Sequence, residues 1–202
     1  MFNSNDKKPG LLKKALYIVE TIYHYNYRIR KNLSRAEGPP ILMRAGEIIV
    51  SGPNISIGRN VFICGPVSLT SVKVAFHEGR IEIGNNVLIT TGVRVSSAVS
   101  VTISDHCMLG NHCYIMDSDW HDIYNRNIPI GLAKPVFLED NVWIGDSAII
   151  CKGVRIGRNS VVGAGSVVRR NVPPDSVVAG NPARVIKKLD PGRIIPYGET
   201  IL

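Results

Sequence analysis

Read from Leu138 in steps of six, the chain gives LEDNVW, IGDSAI, ICKGVR, IGRNSV, VGAGSV and then Val168. An aliphatic residue opens every hexad, and a small or aliphatic residue fills its fifth place. Helical stripes recur at 3.6 residues and pleated strands at 2, so a period of six fits neither. It fits a chain that runs extended for a few residues, turns a corner and repeats. Three such sides close a coil of about 18 residues, and stacked coils make a solenoid. Leu138, Ile144, Ile150, Ile156, Val162 and Val168 are therefore predicted to point inward and to stack on their counterparts above and below. Gly145, Gly157 and Gly163 follow them, where glycine relieves the corner.

The same period begins loosely at Ile41 and holds at Ile57, Ile63 and Leu69. It returns at Ile83, Ile89, Val95 and Val101 with its phase shifted by two residues, which predicts a bulged corner around residues 75–80. A second two-residue shift resets it at Ile103, Leu109 and Ile115. From Ile115 to Leu138 the period fails over 23 residues. Insertions in a repeat array become loops thrown out from one face, often the binding face. Residues 117–135, DSDWHDIYNRNIPIGLAKP, are thus predicted to be an extruded loop carrying Trp120, His121, Asp119 and Asp122.

The two ends depart from the hexads. Leu11–Leu33 has apolar residues at Leu12, Leu16, Val19, Tyr23 and Tyr27, close to helical spacing, and reads as an amphipathic helix. Such a helix caps the open end of the solenoid, or, with Lys13, Lys14, Arg28, Arg30 and Lys31 beside its aromatic residues, makes peripheral contact with a membrane surface. The Glu37-Gly38-Pro39-Pro40 linker ends it. At the far end Pro173-Pro174 stops the ladder, and Asn181 followed by Pro182 predicts the start of a short helix. The expected organisation is a helix and linker over 1–40, the solenoid over 41–175 with roughly six coils, and a tail over 176–202.

At 202 residues the chain suits one domain. Its net charge of +8 is unevenly placed. Residues 1–37 carry eight Lys/Arg against three acids, and residues 152–193 carry nine against two, while residues 38–151 are mildly acidic. No recognition motif or stacking platform accompanies the charge, so nucleic acid is not the expected partner; a local C-terminal basic cluster suits a small polyphosphate ligand. Of the four cysteines, Cys107 and Cys113 fall on inward fifth positions and none forms a C-x-x-C pair, which predicts buried reduced thiols rather than a metal or disulfide. With no signal peptide and no apolar run of 18 residues, the expected location is cytoplasmic.

Taken together, DSDWHD in the loop, NVWIGDSAII, IGRNSVVGAGSVV and the ending VVAGNPARVI resemble the hexapeptide-repeat acyltransferases. The resemblance covers about residues 45–188 and is greatest to the sugar and surface-polysaccharide O-acetyltransferases. It implies an all-β solenoid wound as a left-handed parallel β-helix, a homotrimer, and acetyl-CoA bound between neighbouring subunits. It implies that His121 is the catalytic base, which suits the chemistry: a sugar hydroxyl is a poor nucleophile until a base titrating near neutrality takes its proton. Asp119 and Asp122 are candidates to orient the ring. The family's cofactor positions fall here on Trp143 and Asp146 beside the acetyl and pantetheine end, on Ala164, Arg169 and Arg170 along the pantetheine and phosphates, and on Arg184 and Lys187 by the 3′-phosphate. No metal is expected.

The acceptor positions depart from the galactoside and maltose enzymes. An asparagine and an acid of that pattern fall here on Thr90 or Thr91 and about Ser97; these residues and Trp120 are the acceptor-pocket candidates. Two alternatives share the repeat: an antibiotic acetyltransferase of the streptogramin or chloramphenicol type, and a non-enzymatic or metal-binding scaffold like the carbonic-anhydrase-like family.

Overall fold

The computed structural model describes residues 35–36, 41–44, 48–74 and 76–199. The helix predicted over Leu11–Leu33, with its membrane-contact reading, lies outside the described residues. From Ile55 the chain winds round a three-sided prism. One turn runs along Val101–Ile103 on the first side, Met108–Leu109 on the second and Tyr114–Met116 on the third, called here faces A, B and C. Strands of successive turns pair in parallel, and among the described residues face A has six strands, face C six and face B eight, the last of them antiparallel.

The registers reproduce the hexads. Leu138 lies beside Ile156, Ile144 beside Val162 and Ile150 beside Val168, each pair 18 residues apart in the chain. All six are buried, as are Val142, Ala148 and Val154 at fifth positions. The core is thus a column of aliphatic side chains stacked at the strand spacing, and each turn covers the apolar surface of the next.

Face A also measures the insertions. Ile57 pairs with Ile83, Ile83 with Ile103 and Ile103 with Leu138, separations of 26, 20 and 35 residues. Against a turn of 18 these leave 8, 2 and 17 extra residues. The 8 are not a bulged corner. Lys73–Val74 and His77–Glu78 pair antiparallel as a small hairpin that leaves the prism. A bulge absorbs one or two residues, whereas eight satisfy their backbone groups by pairing with each other. Phase in a period of six cannot separate an insertion of two from one of eight, which is why the sequence pointed to the smaller device.

The C-terminal helix expected from Pro182 is also absent. Ala183–Lys188 is instead a strand, antiparallel to Ser176–Gly180 across the Asn181-Pro182 turn. Ser176–Gly180 continues face B and presents an unpaired edge, and returning the chain along it satisfies that row of backbone groups. Among the described residues a single 3₁₀ turn, Pro191–Arg193, follows. The chain then runs back along the A-to-B corner, where the Tyr197 carbonyl accepts from His106 Nδ1 at 2.7 Å. That corner is a column of left-handed residues, Asn60, Asn86, His106, Asn141, Asn159 and Asp175, a conformation asparagine and aspartate tolerate well.

Burial pushes the Cys107 and Cys113 thiols up to about 12, which leaves both uncharged and unreactive at neutral pH. Cys64 and Cys151 are only half-buried. In the folded protein a thiol reagent should therefore react with no more than two of the four cysteines in the time that it labels all four in denaturant. Native-state labelling of Cys107 or Cys113 would contradict their inward placement.

Candidate active site

The 17 extra residues on face A form the loop that the sequence predicted. It leaves the C-to-A corner on a two-stranded neck, with Ser118 bridged to Ala133, Asp119 N–H donating to Leu132 O at 3.0 Å and Gly131 N–H to Asp119 O at 2.8 Å. Gly131 is needed here, because a Cβ at that position would meet the His121 carbonyl oxygen at 2.5 Å. The neck is rooted by Asp117, which is fully buried. Its carboxylate accepts from Ser97 Oγ at 2.7 Å, Ala98 N–H at 2.7 Å and Val99 N–H at 2.8 Å.

His121 sits beyond the neck with its side chain exposed, beside a shallow depression lined with Asp122, Ile123 and Arg126. Its Nδ1 lies 3.0 Å from the Arg126 carbonyl oxygen. A carbonyl only accepts, so this bond places a proton on Nδ1, and in the neutral ring the lone pair is then on Nε2, the form a general base requires.

Neither acid considered for orienting the ring serves that purpose. Asp119 Oδ1 is engaged by Lys152 Nζ at 2.5 Å, which ties the loop to the next turn. Asp122 Oδ1 accepts from Asn125 N–H at 2.8 Å and Tyr124 N–H at 2.9 Å, a local turn that holds its carboxyl below the ordinary value. Orientation comes from the backbone of Arg126 instead. Trp120 adds a second anchor: its Nε1–H donates to Tyr114 Oη at 2.9 Å, and the Arg94 guanidinium lies 4.2 Å over the Tyr114 ring. The two residues that precede His121 are thus pinned to the prism. Lys152, Tyr114 and Asp117 escaped the sequence reading because their roles depend on contacts between turns.

Of the basic residues, Arg169, Arg170 and Arg184 line one depression with Pro182. Arg169 and Arg170 lie on the same C-to-A corner as the loop, two turns further along, about 10 Å at the strand spacing. Lys187 is exposed on the same strand as Arg184 and does not line that depression. Trp143 points outward from face B with half its surface in solvent. Asp146 and Ala164 lie on the B-to-C corner, where Asp146 accepts from Asn111 N–H at 2.8 Å. Within one chain these three are therefore on a different edge from His121.

The acceptor candidates fare unevenly. Ser97 is fully buried and gives its hydroxyl to Asp117, so it cannot face an acceptor. Thr90 and Thr91 lie on the B-to-C corner and donate their hydroxyls to the carbonyls of Leu109 and Cys64 at 2.8 and 2.9 Å. Bonds between turns thus account for all three hydroxyls, the two threonines to backbone carbonyls and Ser97 to the Asp117 carboxylate.

Comparison with known proteins bears on these elements. Residues 135–170 match the family described as bacterial transferase hexapeptide (six repeats). Galactoside O-acetyltransferase of Escherichia coli (strain K12) is 27% identical over 187 residues, covering 92% of this chain and 84% of that protein. A maltose O-acetyltransferase from Clostridium difficile 630 has a solved structure 30% identical, covering 89% of this chain and 88% of that one with a TM-score of 0.52. A hexapeptide-repeat acetyltransferase of Vibrio cholerae O1 biovar eltor, solved with acetyl coenzyme A, is 24% identical and has a TM-score of 0.53 over 94% of this chain and 93% of that one. This chain belongs to the hexapeptide-repeat family of acetyltransferases, and its fold is the left-handed parallel β-helix.

Proposed function

We propose that this protein is an acetyl-CoA-dependent O-acetyltransferase acting on a hydroxyl of a sugar or surface-glycan precursor, with His121 as general base. The observation that carries this reading is an imidazole on the C-to-A corner whose Nδ1 is held by the Arg126 carbonyl, together with a depression walled by three arginines, two of which, Arg169 and Arg170, lie on that same corner. The sugar is supported by the relatives named for galactoside and maltose. The site residues fit a thioester of coenzyme A: arginine forks suit phosphate oxygens, and a free imidazole suits proton removal from a hydroxyl.

The chemistry is an acyl transfer. Nε2 of His121 takes the proton from the acceptor hydroxyl as its oxygen attacks the thioester carbonyl; the C–S bond then breaks, and the imidazolium returns the proton to the departing thiolate. Products are the acetyl ester and free CoA thiol. The Arg126 carbonyl stabilises the imidazolium through Nδ1–H while the proton is held.

The working unit in this reading is a homotrimer. In one chain, His121 and Arg169 lie on the C-to-A corner, while Asp146 and Ala164 lie on the B-to-C corner, so a closed cleft needs a second prism. Face B supports such a contact: its outward row of Phe62, Leu88, Met108, Trp143, Val161 and Val177 is apolar throughout. Face A presents Ser56, Glu82, Thr102, Phe137 and Arg155 in the equivalent row. An apolar row of that length facing water is characteristic of an interface.

The test of the reading is acetyl-CoA turnover against a panel of free sugars, nucleotide sugars and lipid-linked glycans, with the ester located by mass spectrometry. Absence of turnover on the whole panel would overturn it. Arg184→Ala with Lys187→Ala should raise KM for acetyl-CoA several-fold and leave KM for the acceptor nearly unchanged. The effect should shrink as salt rises, because exposed charges are screened over about 8 Å at physiological ionic strength. Equal affinity of the unmodified protein for CoA and dephospho-CoA would count against this basic cluster as the 3′-phosphate site.

A further inference from the structure

Both large insertions leave the prism at the same corner. The hairpin joins Val67–Ser71 on face C to Ile81–Ile83 on face A, and the His121 loop joins Tyr114–Met116 on face C to Val136–Leu138 on face A. One intervening C-to-A corner, residues 98–100, separates them and is short. Asp117 draws it flat from the loop side through the N–H groups of Ala98 and Val99. The hairpin is sewn to the same corner from the other side: Val72 N–H donates to Ser97 O at 2.9 Å and Arg80 N–H to Val99 O at 3.1 Å. A Cβ at Gly79 would meet that Ser97 oxygen at 2.1 Å, so the hairpin neck rests directly on this corner. Residues 97–100 thus lie between the roots of the hairpin and of the loop, which leave the prism two strand spacings or about 10 Å apart.

At the tip of the hairpin Phe76 is 103% exposed, above the Lys73–Glu78 ion pair at 3.8 Å. The hairpin covers none of its ring, and leaving a phenylalanine in water forgoes the stabilisation its burial gives elsewhere. The loop carries His121 together with the exposed Ile123 and Tyr124. One insertion therefore presents an aromatic ring and the other a base. A pyranose has the matching anisotropy, with an apolar face of C–H groups and a rim of hydroxyls, and roots about 10 Å apart leave room for one ring between two projecting segments.

We infer that the hairpin is the second wall of the acceptor site and that Phe76 stacks on the apolar face of an acceptor pyranose, fixing which hydroxyl meets His121. This rests on the sugar O-acetyltransferase reading above. Phe76 is then a specificity-determining residue, set by an insertion of eight residues that the regular 18-residue turn does not need.

The test compares wild type, Phe76→Ala and Phe76→Trp as full chains, with maltose and p-nitrophenyl β-galactoside as probes. Phe76→Ala should raise the acceptor KM about five- to tenfold, the range of one aromatic contact. KM for acetyl-CoA and acceptor-independent hydrolysis should stay within about twofold, and Phe76→Trp should restore the acceptor KM. In Phe76→Trp, either probe should also shift the new indole's fluorescence. An unchanged acceptor KM in Phe76→Ala, with wild type active on the sugars, overturns this inference and leaves the sugar reading standing. If wild type acetylates neither sugar, the sugar reading fails for these probes, and the fluorescence titration alone decides whether Phe76 contacts a pyranose; no shift overturns the inference. Dissociation of the assembly by Phe76→Ala in sedimentation assigns the residue to a subunit contact and equally overturns it.

Discussion

Replacing His121 by asparagine should lower turnover by a factor of about 10² to 10⁴, the contribution typical of a positioned general base. Asparagine keeps a polar group near the Arg126 carbonyl but has no nitrogen lone pair that can take a proton at neutral pH. The side chain is exposed and lies outside the aliphatic column, so folding, assembly and CoA binding should be preserved. Any pH dependence of the wild-type rate that comes from the base should be missing in the variant. Asp119→Asn should cost less than the histidine change, because it weakens the Lys152 tie while leaving the Arg126 bond in place. Asp122→Asn should cost less still, since the carboxylate serves a local turn. The measurement is a pH profile of acceptor-dependent CoA release for each protein, with CoA affinity determined in parallel. Near-normal turnover in His121→Asn would remove it as the base.

The parts of this architecture that were legible in the sequence are those that repeat. Leu138 to Val168 announced the inward column, the turn length and the stacking, because a buried aliphatic recurs wherever the chain returns to the same face. The loop was legible as a failure of that period. Phase alone misread the hairpin, because it reports an insertion only to within six residues. The C-terminal helix was misread from Asn181-Pro182, whose local signal gave way to an unpaired strand edge that no short window of sequence reveals. The site divides in the same way. His121 and the arginines could be found by motif, whereas what holds them depends on neighbours one or two turns away. Lys152 meets Asp119 across 33 positions, and Ser97 meets Asp117 across 20. Ser97 is the instructive case, since its type and position suggested a ligand contact while its hydroxyl is consumed by the anchor of the loop.

That anchor carries the largest expected effect on stability. The buried Asp117 carboxylate is the acceptor for three donors, two of them backbone N–H groups that cannot reorient. Asp117→Ala leaves all three without a partner, and each stranded buried donor costs about 1–3 kcal/mol, reduced where the corner opens to water. A total of about 3–5 kcal/mol follows, which for a chain of this length corresponds to an apparent Tm roughly 10 °C lower. Asp117→Asn separates shape from chemistry. The amide fills the same volume, but its NH₂ must face the Ala98 N–H in one orientation or the Val99 N–H in the other, setting donor against donor. The asparagine variant should therefore melt nearly as early as the alanine variant, and both should lose turnover, because the corner between hairpin and loop and the root of the His121 loop shift together. Thermal unfolding followed by circular dichroism, with turnover measured well below the transition, checks both parts. Melting of Asp117→Asn within about 2 °C of wild type would show that the corner holds its shape without the carboxylate, and the loop would then owe its position to Lys152 and Trp120.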